Sequence, residues 1–189
     1  MVATSYGQHL YYPLLSPVKD EVAALKMRPL AIGEPSEVKF VLDVMTFYNS
    51  AAGKQKLQGL SLYLLLNADN RAKGLGFALA GNFYSDFLLW LVDRKTGTQW
   101  LSFIDPKGIR NMDLSDPKLG LFEEIKQIKK HLNDKLLSLS AFILSVTTFD
   151  DPLNFKGTVS KAELEELNVL FLDDSVDVYF GKLLERIIS

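Results

Sequence analysis

Two strongly apolar segments joined by a short polar turn constrain the fold more than any other feature of this 189-residue chain. The segments 83–92 and 99–104 flank the polar stretch 93–98, in which Gly97 tolerates the positive φ that a hairpin turn needs. Both segments are apolar on both faces of a strand. This pattern predicts a hairpin in the interior of a sheet that is covered on both sides.

Each predicted strand has one aspartate at the end away from the turn. Asp86 and Asp105 are equally distant from the centre of the turn, so in an unbulged hairpin they lie opposite each other, with Cβ atoms about 5 Å apart. Lys107 comes two residues after Asp105 and therefore projects from the same face. Two carboxylates at the end of a buried hairpin repel each other and lose hydration, and a bound cation beside the lysine would remove that cost.

Two local alternatives lead to other structures. Asp105-Pro106-Lys107-Gly108 also has the residue types of a type I turn, with Asp first, Pro second and Gly fourth. A bulge in either strand would break the assumed register. Under either alternative the two aspartates need not be neighbours.

The spacing of these residues resembles the PD-(D/E)XK nuclease motif, since Asp86 is followed, after eighteen residues, by Asp105-x-Lys107. The longer run 74–108 resembles the nuclease domain at the C-terminal end of type III restriction enzyme-like and DEAD/DEAH-box helicase-like proteins. The resemblance covers roughly residues 36–149. Ser85 stands where the motif has proline, a position that mainly shapes the backbone.

The resemblance implies an α/β fold with a restriction-endonuclease-like core, in which helices flank a central mixed β-sheet in the order αβββαβ, with additions. It implies hydrolysis of DNA phosphodiester bonds with Mg²⁺, for which Mn²⁺ would substitute, in a restriction or anti-phage defence system. Asp86, Asp105 and the main-chain carbonyl of Pro106 would hold the metal. Lys107 would orient the attacking water or stabilise the transition state.

A helix is predicted from Ser36, a good N-cap, to near Gly53, because apolar residues recur at helical spacing from Phe40 onward. Glu37 lies one turn before Val41 and shares the buried face. The resemblance implies that this glutamate approaches the metal site. The alternative is that Glu37 only favours the positive end of the helix dipole.

The formal net charge of −2 is not typical of a dedicated nucleic-acid-binding protein. Affinity for DNA must then come from a local basic patch, a metal or another domain, and the chain has no phosphate-loop motif of a helicase motor. We therefore expect a separate helicase or ATPase partner, and a homodimer is possible. Candidate DNA contacts are Arg71, Lys73, Arg110, Lys126 and Lys130, although exposed charges of this kind are more often only solvated.

The chain divides into a proline-rich segment, 1–35, expected to be an N-terminal extension or linker remnant, and a nuclease domain, 36–189. Cysteine is absent, and no signal peptide or membrane-spanning run is visible. These features predict a cytoplasmic protein without membrane contact.

Two hypotheses compete with the nuclease. A nuclease-fold module that has lost cutting activity would serve for DNA binding or partner docking, and Ser85 and the acidic composition favour it slightly. A plain α/β scaffold would use the segment 105–108 only as a turn.

Overall fold

The computed structural model describes residues 2–4, 14–16, 34–67, 76–77, 83–110, 112–132, 134–151, 155 and 158–189. In chain order, the elements are β1 (Val2–Thr4), β2 (Leu14–Ser16), α1 (Pro35–Asn49), α2 (Ala51–Lys56), β3 (Leu60–Leu66), β4 (Gly76–Phe77), β5 (Phe83–Tyr84), β6 (Phe87–Asp93), β7 (Gln99–Lys107), α3 (Pro117–Leu132), β8 (Leu137–Ser145), α4 (Lys161–Glu166), β9 (Val169–Phe171) and α5 (Val176–Ile188).

The main sheet has five strands in the order β3-β6-β7-β8-β9. The β3-β6 and β6-β7 pairs are antiparallel, whereas β7-β8 and β8-β9 are parallel. Helix α3 makes the crossover that a parallel β7-β8 pair requires. The predicted α/β class, with a mixed sheet flanked by helices, is confirmed. Among the described residues, β1 with β2 and β4 with β5 form two further small antiparallel pairs.

Helices cover both faces of the sheet. On one face, α1 and α5 pack on alternate strand residues such as Leu89, Ile104 and Leu144. On the other face, Ile125 of α3 packs against Leu88, together with Phe103 and Ala141. Because successive strand residues contribute to opposite faces, the middle of each central strand is mostly apolar on both faces, as the sequence predicts for the hairpin.

The predicted hairpin is confirmed. Phe87 pairs with Ile104 and Val92 with Gln99, and the register between them is uninterrupted, so no bulge displaces it. Gly97 has φ of 74°, in the region that favours glycine.

The predicted start of α1 is wrong by two residues, because the N-cap is Glu34 and not Ser36. The helix begins at Pro35 with Glu34 in the cap position, and no side-chain hydrogen bond caps it. Proline suits the first helical position because the missing N–H has no helical partner there and its φ is already helical. The boundary at residue 36 therefore falls inside the first turn.

The predicted end of α1 near Gly53 is also wrong. The helix ends at Asn49, and Ser50 is extended, with φ of −71° and ψ of 162°. The Ser50 hydroxyl accepts a hydrogen bond from the Gly53 N–H at 2.9 Å and so caps α2. A serine that can cap a new helix competes with continuation of the first.

Most of the segment 1–35 lies outside the described residues, and its role as an extension or linker remnant stays a prediction. Where the chain is described, it contains no helix that combines the length and the apolar character needed to cross a membrane.

Candidate active site

The two aspartates meet at one edge of the sheet. The β6-β7 register, continued one residue beyond Phe87 and Ile104, places Asp86 opposite Asp105. Their side chains share a hydrogen bond. Asp105 is only 7% exposed, and Asp86 is half-buried. The structure therefore brings together the two carboxyl groups that the symmetric spacing predicts to be neighbours.

The segment 105–107 is not a turn. Asp105, Pro106 and Lys107 are the last residues of β7 and pair in parallel with Ile143, Leu144 and Ser145 of β8. The turn interpretation is wrong because it considers only local residue preference, whereas a neighbouring strand is available to extend the ladder.

Lys107 lies beside the carboxyl pair. Its Nζ donates a hydrogen bond to Asp105 Oδ2, and its side chain is mostly buried. Lys118, in the first turn of α3, is close enough for its positive charge to lower the pKa of the Lys107 ammonium. The edge therefore contains two carboxylates and two lysines.

Burial and repulsion shift the protonation of Asp86. Loss of hydration, followed by the nearby Asp105 carboxyl and the charge of Glu37, raises the pKa of Asp86 to about 8 from its ordinary value of 3.8. Lys107 partly opposes this effect. Burial also lowers the pKa of Lys107, while Asp105 acts in the opposite direction. Without a ligand, this edge stores unfavourable electrostatic energy.

Glu37 is close enough to the site for its charge to act on Asp86. It lies in the first turn of α1 and is half-buried. The structure thus places the helical glutamate at the edge that contains both aspartates. Its part as a ligand, rather than as a residue that favours the helix dipole, stays a prediction.

The backbone at Asp86 is fixed by Asn67, which directly follows β3. The Asn67 N–H donates to the Asp86 carbonyl at 2.7 Å, and Asn67 Nδ2 donates to the Ser85 carbonyl at 2.9 Å. Ser85 is 3% exposed, and its hydroxyl donates to the Phe87 carbonyl at 3.0 Å. Hydrogen bonds therefore fix the local backbone at Ser85.

The structure describes the side chains of two candidate DNA contacts, Arg110 and Lys130. Arg110 is exposed three residues after Lys107, and its guanidinium pairs with Asp151 at 2.7 Å. Lys130 is exposed in the last turn of α3, twelve residues and hence about 18 Å along the helix from Lys118. Arg71 and Lys73 lie outside the described residues, as does the side chain of Lys126.

The residues at this edge fit a hard divalent cation through two carboxylates. Mg²⁺ commonly binds one or two protein carboxylates and keeps several waters, and the Asp86–Asp105 pair offers such a donor set. Pro106 is buried and lies between Asp105 and Lys107 in the sequence. Within the described residues, no group of three or more His, Cys, Asp or Glu side chains is arranged to bind a metal ion. A metal held by these two aspartates would take its other ligands from water, main-chain oxygen or a carboxylate that moves closer, such as that of Glu37.

Sequence reasoning missed Asn67 and Lys118. Asn67 was visible as the first polar residue after an apolar strand, but its contact with the segment 85–86 depends on the β3-β6 pairing. Lys118 directly follows the Asp-Pro helix start at residues 116–117. Its approach to Lys107 depends on how α3 packs on the sheet, which residue spacing does not give.

Comparison with known proteins identifies no relative. No protein-family model matches this chain, and neither the curated proteins nor the solved structures give a significant match. The geometry of this edge is therefore the basis on which a function can be proposed.

Proposed function

We propose that this chain is a metal-dependent nuclease that hydrolyses DNA phosphodiester bonds, and that its sheet and helices form a restriction-endonuclease-like core. The observation that supports the proposal is the pair of carboxyl groups, Asp86 and Asp105, held in contact beside Lys107. A purely structural hairpin gains nothing from this arrangement, because it raises the electrostatic free energy of the folded state.

A divalent cation such as Mg²⁺ relieves that cost, lowers the pKa of bound water and offsets negative charge at phosphorus. Asp86 and Asp105 supply its carboxylate ligands. Main-chain oxygen of Pro106 and the Glu37 carboxylate are further candidates. The phosphodiester, rather than a neutral substrate, is favoured because both carboxylates and lysines meet at one edge.

The lysines bind the anionic group. Lys107 is already held by Asp105, in a largely buried position where a charge–charge interaction is strong. It would donate to a phosphate oxygen or orient the attacking water. Lys118 supplies a second positive charge beside it, and an anion between the two ammonium groups would relieve their repulsion.

A separate motor and a defence role belong to the same proposal. The net charge of −2 gives the chain little general attraction for DNA. A helicase or ATPase partner would deliver the strand to the site. Cytoplasmic location and a homodimer remain expectations of the same hypothesis.

The test is cleavage of supercoiled plasmid and single-stranded circular DNA with Mg²⁺ or Mn²⁺, with EDTA as the control. We expect metal-dependent nicking by the wild type and at least a hundredfold loss in Asp105→Ala and Lys107→Ala, since each removes a group acting at the reacting phosphate. Asp173→Ala and Lys135→Ala are matched controls, because both side chains are exposed and neither belongs to the carboxyl–lysine cluster.

The rival function, a module that binds DNA or a partner without cutting, predicts a different result. Wild type would then bind a divalent ion through Asp86 and Asp105, but cut neither substrate. An absence of both metal binding and cutting would refute the nuclease proposal and leave a docking module as the better explanation.

A further inference from the structure

A cavity of about 500 Å³ lies directly beside the carboxyl–lysine edge, where β7 and β8 end. Its lining comes from two short segments that follow these strands, with one more side chain from the next loop: Gly108, Ile109, Arg110, Met112, Val146 and Thr147. None of these side chains belongs to the carboxyl–lysine cluster itself.

The cavity begins one residue after Lys107. Consecutive Cα atoms are about 3.8 Å apart, so the Gly108 wall adjoins the lysine that we assign to the phosphate. The Val146 N–H donates to the Lys107 carbonyl at 3.0 Å, and the Ile109 N–H donates to Thr147 Oγ1 at 3.2 Å. These bonds join the two lining segments, so the wall next to the candidate phosphate position is fixed.

The lining combines apolar and cationic surface. Val146 is 45% exposed although it directly follows a buried strand, and Ile109 is fully buried behind the wall. Arg110 presents a guanidinium that Asp151 orients at the cavity's edge. Apolar surface suits the face of a nucleobase, while a guanidinium can stack on a base or bind a phosphate.

Size and position together favour one occupant. Pockets for small organic groups have volumes of about 300–1,000 Å³, and 500 Å³ lies within that range. The nucleoside next to the phosphate at Lys107 is joined to that phosphate and is small enough for this cavity. A base within a duplex is stacked on both faces and paired, so it enters a recess only when it is unpaired or extruded.

We propose that this cavity binds the nucleoside adjoining the scissile phosphate, and that the substrate strand is therefore unpaired at the site. The inference rests on the proposed nuclease function and adds to it the class of substrate. Val146 and Met112 contact the base, and Arg110 lies at the edge toward the strand.

The experiment measures binding rather than cutting, by fluorescence anisotropy with labelled oligonucleotides in Ca²⁺. The probes are a single-stranded thymidine 12-mer, the same strand in a blunt duplex, and a 12-mer of abasic residues. Wild type should bind the thymidine strand about tenfold more tightly than either other probe, because each stacked base contributes on that scale.

Val146→Phe fills the cavity and should lower affinity for the thymidine strand about tenfold, while leaving affinity for the abasic strand unchanged. Val178→Phe is the matched control, since Val178 is a similarly exposed valine (48%) on α5. Equal urea midpoints of unfolding for the two variants would show that Val146→Phe is folded. The abasic probe tests the same contact with unaltered protein.

Two results would overturn the inference: equal wild-type affinity for the thymidine and abasic strands, or tighter binding of the duplex. Cleavage of plasmid without any base-dependent binding would refute the cavity and leave the nuclease intact. Base-dependent binding that Val146→Phe abolishes, in a protein that cuts nothing, would support the cavity and refute the nuclease.

Discussion

Replacing Asp86 with asparagine should stabilise the metal-free protein by an amount that grows as the pH rises from about 4 to about 8. Burial and the Asp105 carboxyl raise the pKa of Asp86 from 3.8 to about 8. The folded state therefore binds this proton more tightly than the unfolded state does. The stability from the protonated carboxyl is fully present below about pH 4 and is lost progressively as the pH rises to about 8.

The size of the effect follows from the same pKa difference. Each pKa unit corresponds to about 1.4 kcal/mol, so a change from 3.8 to about 8 sets a ceiling of about 6 kcal/mol. Asp86 is only partly buried, and solvent screening reduces such an interaction considerably. We expect Asp86→Asn to raise the free energy of unfolding by about 2–3 kcal/mol at pH 8.5, with little change at pH 4.5.

The assay is urea unfolding in EDTA at both pH values, followed by circular dichroism. Asparagine can donate to Asp105 as the protonated carboxyl does, so the variant imitates the low-pH state. Asp173→Asn removes an equal charge at an exposed position and should change stability by no more than about 0.5 kcal/mol at either pH. A loss of stability in Asp86→Asn at pH 8.5, or an equal gain at both pH values, would refute the electrostatic explanation.

Three further variants test the backbone around the site, the break between α1 and α2 and, for comparison, an exposed glycine of α3. Asn67→Ala removes the side-chain hydrogen bond to the Ser85 carbonyl. We expect the free energy of unfolding to fall by about 1 kcal/mol and Tb³⁺ luminescence from the site to weaken. Unchanged Tb³⁺ affinity would limit Asn67 to a structural role. Gly53→Ala should destabilise by about 1–3 kcal/mol, because its Cβ would lie 1.7 Å from the Phe47 carbonyl oxygen. Gly120 of α3 is exposed and has open space around it, so Gly120→Ala should stabilise the protein by about 0.5–1 kcal/mol. Thermal unfolding of the two glycine variants measures both effects. Equal shifts of the melting temperature would contradict the clash at Gly53.

The hairpin could be predicted from the sequence because its determinants are local. A short turn fixes which residues of two adjacent strands face each other, and the symmetric positions of Asp86 and Asp105 then need only an unbulged ladder. Apolar runs and helical periodicity indicated strands and helices, whereas the mixed sheet was expected from the resemblance and the number of its strands was not predicted. The break at Ser50 could not be predicted from the sequence, because a serine is compatible with a continuous helix as well as with an N-cap.

Helical periodicity gives the face of a helix but not its position along the sheet. Both Lys118 and Lys130 were visible as basic residues of α3, and only packing distinguishes them. The helix starts at the carboxyl–lysine edge and runs away from it, so Lys118 meets Lys107 while Lys130 lies at the other end. The density of positive charge along the sequence is highest at the end of α3 away from this edge, and a DNA contact there stays a prediction.

The position of β7 explains why the carboxyl pair can be predicted from the sequence and the cavity cannot. β7 is antiparallel to β6 and parallel to β8, so its final residues meet the beginning of β6 on one side and the end of β8 on the other. The antiparallel side brings together residues about twenty apart, and spacing alone predicts the carboxyl pair. The parallel side joins residues 108–110 to 146–147 across a whole helix, and these form the cavity. A strand with both kinds of neighbour thus places a charged site and a recess side by side, with Lys107 between them.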